Sequence, residues 1–540
     1  MRILKKISSL SILIYLLALL TSCAIRVVPS GGTKDAAPPA YVKSLPANYA
    51  TNFTGNEIEI VFDENIVLSQ ADRQVIVSPI MQPKPEVSSR RNRLKLKLPE
   101  SLTPNTTYTI NFGNAITDLH EGNAYGGFQF VFSTGSIIDS LKFSGTILHA
   151  SDLHAEKSVL AMLYSDTDDS CIYKHEPDYY SLTDESGNFT IKNIRPGTYK
   201  LFGMKDVSNN LMFEKGADMI AFNTQSLQIP RDSMATMLMF NERDYFPKLK
   251  SAKKDLKGRI KIITSAAVPD FDFDVLNKSI SKEKCTIIKN LGNDTLFLFY
   301  NDSMADSLNM VLRNGSLLLD TVFIELKSKR SASGGRGETA LGGSIISNLS
   351  GNFLDLGKLL HLNFQFPVQT IDSSKITLRI DSIATSPIVL TFANEHRMQL
   401  VMNHNMLPGK RYELSLLPGA FTDLLGNKND TTIITWNTRE PRYYGTFTVT
   451  VSNLDINNKI IQLVTEKDEV VAAQKLNSTK IEFNNLEPML YRVKLIDDNN
   501  GNGIFDSGMY YTKRQPERVH YFPKTINIRS NWDVSEEWKF

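Results

Sequence analysis

The stretch IDDNNGNGIFDSG, residues 496–508, places Asp498, Asn500, Asn502 and Asp506 at positions one, three, five and nine of a loop, with Gly503 at position six. Calcium takes six to eight hard oxygens, and alternate side chains on a tight turn deliver them while a glycine permits the bend. Position twelve, where a helix–loop–helix calcium sensor carries a bidentate glutamate, is Met509, and no helical pattern flanks the loop. A sensor is therefore excluded, and a structural Ca2+ clip is the metal reading. Two carboxylates predict a modest affinity, in the range of ~10⁻⁴–10⁻³ M. A polar Asn/Gly hairpin without metal is the other reading. The earlier segment Asp206, Ser208, Asn210, Glu214 keeps the oxygens but puts Leu211 at the glycine position, so that copy is expected to keep the turn and lose the metal.

Other chemistry is sparse. The chain has no Gly-x-Ser-x-Gly elbow, no Gly-Lys-Ser/Thr phosphate loop and no His-Glu-x-x-His pair. The 8 histidines are scattered; His149 and His154 beside Asp152 come nearest to a cluster and read as loop polar residues. Carboxylate neighbours such as Asp184 and Glu185 fall in turns, where they serve local hydrogen bonds. No catalytic residue is assigned, and the chain is not read as an enzyme. The tail 510–538 interleaves aromatic and basic residues, and Tyr521 and Trp532 are its candidate contacts to a glycan or peptide. The alternative is that these rings pack the last strands. Of the 3 cysteines, Cys171 and Cys285 lie far apart, which argues against a disulfide scaffold or a zinc site. A net charge of +2 gives no field that recommends nucleic acid as a partner.

The elements that must position these residues are strands. EIEIVF (57–62), RLKLKL (93–98), YTINF (108–112) and FQFVF (128–132) alternate with period two between Gly, Pro, Asn and Asp turns. That pattern predicts an all-β chain of tandem antiparallel β-sandwiches. The chain also repeats itself. LTPNTTYTINFGNAITDLHEGN (102–123) is echoed by LPGKRYELSLLPGAFTDLLGN (407–427), and FTIKNIRPGTYKLFGMKD (189–206) by IEFNNLEPMLYRVKLIDD (481–498). Two different modules recurring in the same order predict a repeated pair, with boundaries at 41–136, 137–245, 346–440 and 441–540. Residues 246–345 read as a further β-domain of uncertain type, ending in the Gly/Ser-rich stretch 331–344.

Several segments resemble known families. The basic end Arg2, Lys5, Lys6, the apolar run Leu10–Leu20 and then Leu20-Thr21-Ser22-Cys23 resemble the signal and lipobox of bacterial lipoproteins. That likeness implies cleavage after residue 22, a lipid on Cys23 and a membrane as partner through that lipid. The tether 23–40, with PSGGTKDAAPP at 29–39, resembles the leader of Ig-like lipoproteins from Bacteroidota. Segments 41–136 and 346–440 resemble the bacterial Ig-like domain of surface-layer and lipoprotein chains, and 137–245 and 441–540 the prealbumin-like, carboxypeptidase-regulatory sandwich. The 498–506 loop resembles DxDxDG-type loops of extracellular proteins, and repeated Asp-Ser/Thr steps such as Asp139-Ser140-Leu141 resemble the O-glycosylation acceptor of exported Bacteroidota proteins. These likenesses imply a cell-envelope lipoprotein in a row of five modules with a structural, spacing or adhesive role; an accessory glycan- or peptide-binding lipoprotein is the alternative. The outer membrane is the expected location. Ala24-Ile25-Arg26-Val27-Val28 after the cysteine lacks the acidic residues of surface-exported relatives, which favours the periplasmic face.

Overall fold

The computed structural model describes residues 35–242, 246–276, 281–290, 293–300, 306–326, 345–385 and 388–540. Cys23, the leader and the stretch 331–344 lie outside the described residues. The chain divides into two compact units, residues 1–140 and 141–540. Among the described residues the helices are single turns such as Ala71–Gln74 and Cys171–Lys174, and none is long and apolar enough to cross a membrane.

Period-two alternation gives each strand one apolar face, and facing two such sheets buries both. In the first unit, the sheet of Tyr41–Leu45, Glu57–Phe62, Arg93–Lys97 and Glu86–Arg90 faces the sheet of Ile76–Ser78, Thr107–Asn111 and Gln129–Ser133. Ile58, Ile60, Leu94, Leu96, Ile110, Phe130 and Phe132 form the core between them. The outward positions carry cross-strand ion pairs, Lys95 with Glu57 and Arg93 with Glu59.

Residues 345–440 repeat this module. Leu360–Asn363 and Gln399–Met402 centre one sheet, and Ile376–Ile380, Arg411–Leu416 and Thr432–Asn437 the other. The repetition extends to single hydrogen bonds. Tyr108 Oη accepts the Thr103 N–H at 2.9 Å and Tyr412 Oη the Leu407 N–H at 2.7 Å. Thr134 Oγ1 accepts from Thr106 N–H, and Thr438 Oγ1 from Lys410 N–H, each at 3.0 Å. Asp118 gathers the N–H groups of His120, Glu121, Gly122 and Asn123, while Asp423 gathers those of Leu425 and Asn427.

The second repeated module has a different topology, and its two copies share their strand pairs except that Met219–Phe222 also pairs with Met234–Asn241 in the first copy, joining its sheets into one of eight strands. Leu141–His149 pairs parallel with Met234–Asn241, as Gly445–Ser452 does with Asp533–Lys539. The facing sheets centre on Gly197–Lys205 and on Leu490–Asp497. Tyr199 and Tyr491 each donate a hydroxyl hydrogen bond at 2.9 Å to the carbonyl four residues earlier, Arg195 and Glu487. The intervening segment, of open type in the sequence, is a two-sheet sandwich. Leu249–Leu256, Arg259–Thr264, Thr295–Tyr300 and Cys285–Lys289 pack on Phe271–Val275, Ser307–Asn314 and Leu317–Glu325 over Ile260, Ile262, Leu296, Leu298, Leu308, Met310 and Leu312.

Candidate functional site

Strand Leu490–Asp497 delivers the chain into the 498–506 loop. Asp498 is buried, and its Oδ1 and Oδ2 accept the N–H groups of Asn502 at 3.0 Å and Gly503 at 2.9 Å. Gly503 sits at φ +84°, in the left-handed region where a glycine pays no steric penalty. The side-chain amides of Asn500 and Asn502 both donate to Asp506 Oδ2. The loop thus brings all four expected ligand residues together. It also brings in an acid that spacing did not single out: Glu517, buried, accepts the N–H of Asn499 at 2.8 Å and of Asp506 at 2.9 Å. Burial, with Asp506 and Asp498 as negative neighbours, pushes the Glu517 carboxyl above its usual range, although the two N–H donors oppose the shift.

As placed, the oxygens of Asp498 and Glu517 answer backbone N–H groups, and both asparagines turn amide nitrogen toward Asp506. Among the described residues no three His, Cys, Asp or Glu side chains converge closely enough to hold a metal. A cation here would be held by Asp498 and Asp506 with Asn500 and Asn502 turned to present carbonyl oxygen.

The earlier copy shows why the loop keeps its shape. Asp206 Oδ2 accepts the Leu211 N–H at 2.8 Å, five residues on, as Asp498 does with Gly503. Asp218 accepts the N–H groups of Val207 and Glu214, the counterparts of Asn499 and Asp506. Leu211 takes φ +61° where Gly503 stands. Two carboxylates with fixed N–H donors therefore dictate this backbone, and a leucine tolerates it. The signal for Glu517 was available: strand register aligns Met204 with Ile220 and Ile496 with Val519, so the acids two residues before, Asp218 and Glu517, are counterparts. Sequence spacing alone concealed this, because the later copy runs 11 residues from Asp506 to Glu517 where the earlier runs 4 from Glu214 to Asp218.

The tail aromatics separate. Tyr510, Phe522 and Trp538 are buried. Tyr521 donates its hydroxyl to Asp468, which also holds Lys494 Nζ at 2.6 Å, and the Arg492 guanidinium lies 3.9 Å over its ring. Its hydroxyl and one face are thus occupied within the fold. Trp532 is 54% exposed, with Arg529 stacked 5.0 Å from its ring centre. The two residues belong to opposite sheets of the last sandwich, Tyr521 on strand Val519–Tyr521 and Trp532 in the turn before Asp533–Lys539. His149 Nε2 lies 2.6 Å from Glu156 Oε2, and His154 pairs with Asp152 at 3.3 Å. Burial pushes the Cys171 thiol up to about 11; Cys171 and Cys285 are both free thiols, in different modules.

Comparison with solved structures gives distant likenesses. The Bacillus anthracis TIE protein is 10% identical, with 95% of this chain and 76% of that one covered and a TM-score of 0.14. The S-layer protein rSbsC is 10% identical over 91% and 67%, with a TM-score of 0.14. The glucan-utilisation protein SGBP-B of Bacteroides ovatus, solved with a mixed-linkage heptasaccharide, is 11% identical over 71% and 95%, with a TM-score of 0.19. At these scores the likenesses carry no weight for function. No curated protein matches the sequence. The match that does bear on the fold is to a family model, and it covers the two-sheet module with the Tyr108 and Asp118 hydrogen bonds: residues 35–134 are a bacterial Ig-like domain.

Proposed function

We propose that the chain is a non-catalytic lipoprotein of the cell envelope, anchored through Cys23 at the outer membrane and facing the periplasm, whose sandwiches serve a structural, spacing or adhesive role. The observation that supports this most is the duplication of polar residues. The tyrosines, threonines and aspartates that the repeated modules share are taken up by turns and strand corners, as with Tyr108 and Tyr412 or Asp118 and Asp423. An enzyme's polar residues converge on a reacting atom; these satisfy backbone groups that burial would otherwise leave unpaired.

A second reading, an accessory glycan- or peptide-binding lipoprotein, is favoured by one feature, the exposed ring of Trp532 beside Arg529. Binding to a glycan and peptide array, before and after Trp532→Ala and Tyr521→Ala, separates the two. The structural reading expects no specific signal in any form. A signal lost with Trp532→Ala would establish the binder. Loss with Tyr521→Ala alone would point to the Asp468–Lys494 network instead.

A further inference from the structure

We propose that the seven residues by which the last sandwich exceeds its sister form an intramolecular latch, and that the outer aromatic face of the second sandwich is its receptor. Strand Leu160–Tyr164 is buried at every position, and Leu201–Met204 likewise. Ala161, Leu163 and Leu201 point into the module's own core. Met162, Tyr164, Phe202, Met204, Ile220 and Phe222 alternate with inward positions and lie on the opposite face, yet each is almost wholly buried. A sheet apolar on both faces must be covered on both. The cover comes partly from the same module, through Ile172 and Phe213 joined by the Phe213 N–H to the Ile172 carbonyl. The inserted hairpin covers Phe202 and Phe222.

Met509 and Arg514 close that hairpin with reciprocal backbone hydrogen bonds of 2.8 and 3.0 Å. At its tip Tyr510 is buried, with its ring 5.0 Å from Phe222 and 5.4 Å from Phe202 and its hydroxyl donating to the Asp169 carbonyl at 2.7 Å. Lys513 holds the Asp169 carboxylate at 3.1 Å. The Tyr511 N–H donates to Glu242 Oε1 at 2.9 Å and Gln515 Nε2 to the Phe222 carbonyl at 2.9 Å. Gly508 lies so close to Phe240 that a Cβ there would stand 2.5 Å from its ring. The sister loop, running straight from Glu214 to Asp218, has no such projection. The insertion therefore supplies the pairing, and residues 246–440 are the chain held between latch and receptor.

Hydroxyl-radical footprinting of the full chain tests this. Excising residues 509–515, which restores the sister loop's length, is expected to raise labelling of Tyr164, Phe202 and Phe222 by ~10-fold or more, as for a face that opens locally. The core aromatics Phe143, Phe189, Phe447 and Phe483 should stay as protected as before. Tyr510→Ala, which keeps the backbone of the hairpin, should give an intermediate rise at the same three rings. Unchanged labelling after excision would overturn the proposal, because other contacts would then hold the face covered. Labelling of the core aromatics together with the face would overturn it too, since the hairpin would then be part of the sandwich fold and not a latch.

Discussion

Asp118 shows how a single side chain organises a turn in this protein. Burial alone works to raise its carboxyl, but the backbone N–H groups of Glu121, Asn123, Gly122 and His120 overcome that and bring it down to about 2. A carboxylate with a depressed folded pKa contributes stability that is present above its unfolded value, about 3.9, and lost as pH falls through the folded one. The stability this turn contributes should therefore be complete above about pH 4 and fade as pH falls from there to about 2. A carboxyl-detected NMR titration of residues 35–140 should show one aspartate titrating in that range and should lose it in Asp118→Asn. A normal midpoint for that resonance would mean the four N–H groups do not converge on one carboxylate.

At the scale of elements, the 498–506 loop is a backbone shape made twice and differentiated once. The sister copy keeps the shape with Leu211 at φ +61°, held by the N–H groups that Asp206 and Asp218 accept. A cation would instead relieve charge. Glu517 has its folded pKa raised, by burial first and then by Asp506 and Asp498. A raised acid lowers stability at neutral pH, and that loss disappears as pH falls through the folded pKa. Calcium at 10 mM should stabilise by about 1–3 kcal/mol, given a dissociation constant of ~10⁻⁴–10⁻³ M. Thermal melts of the full chain with calcium and with chelator read this. The gain should vanish in Asp498→Ala with Asp506→Ala and shrink on acidification toward the carboxylate range. Identical melts at neutral pH would leave IDDNNGNGIFDSG as a polar turn.

For the whole molecule, the last sandwich returns to the second. The third and fourth modules also touch, with Arg259 donating to the Gln365 carbonyl at 2.9 Å and Phe299 packed on Phe366. Trypsin should cut first within 331–344, at Arg336, because that stretch is Gly/Ser-rich and carries no apolar strand pattern. The two products should nonetheless travel together on native size exclusion and part only in denaturant. Separation under native conditions would show that the contacts within 141–540 are too weak to hold it together. Cys23→Ser in the same chain should move the protein from the membrane to the soluble fraction, as expected if one acylated cysteine is the anchor.

The sequence by itself determined the strand class, the two repeated modules and the turn at 498–506. Those features are local: alternation decides which face of a strand is buried, and Gly, Asn and Asp decide where the chain turns. Glu517 and the latch were decided only by tertiary structure, because the seven-residue insertion separates Asp506 from Glu517 in sequence while strand pairing restores them in space. The unbroken apolar runs LAMLY (160–164) and MIAF (219–222) belong to that doubly covered sheet, a role that emerged only from the structure. What covers it could not be read from them, since apolar burial has no direction and Tyr510 lies on another sandwich, 341 residues beyond the Asp169 carbonyl it meets. The fate of each tail ring was settled the same way. Trp538 is buried because of the face its strand presents, Tyr510 because its hairpin packs on Phe202 and Phe222, and Trp532 stays open in a turn.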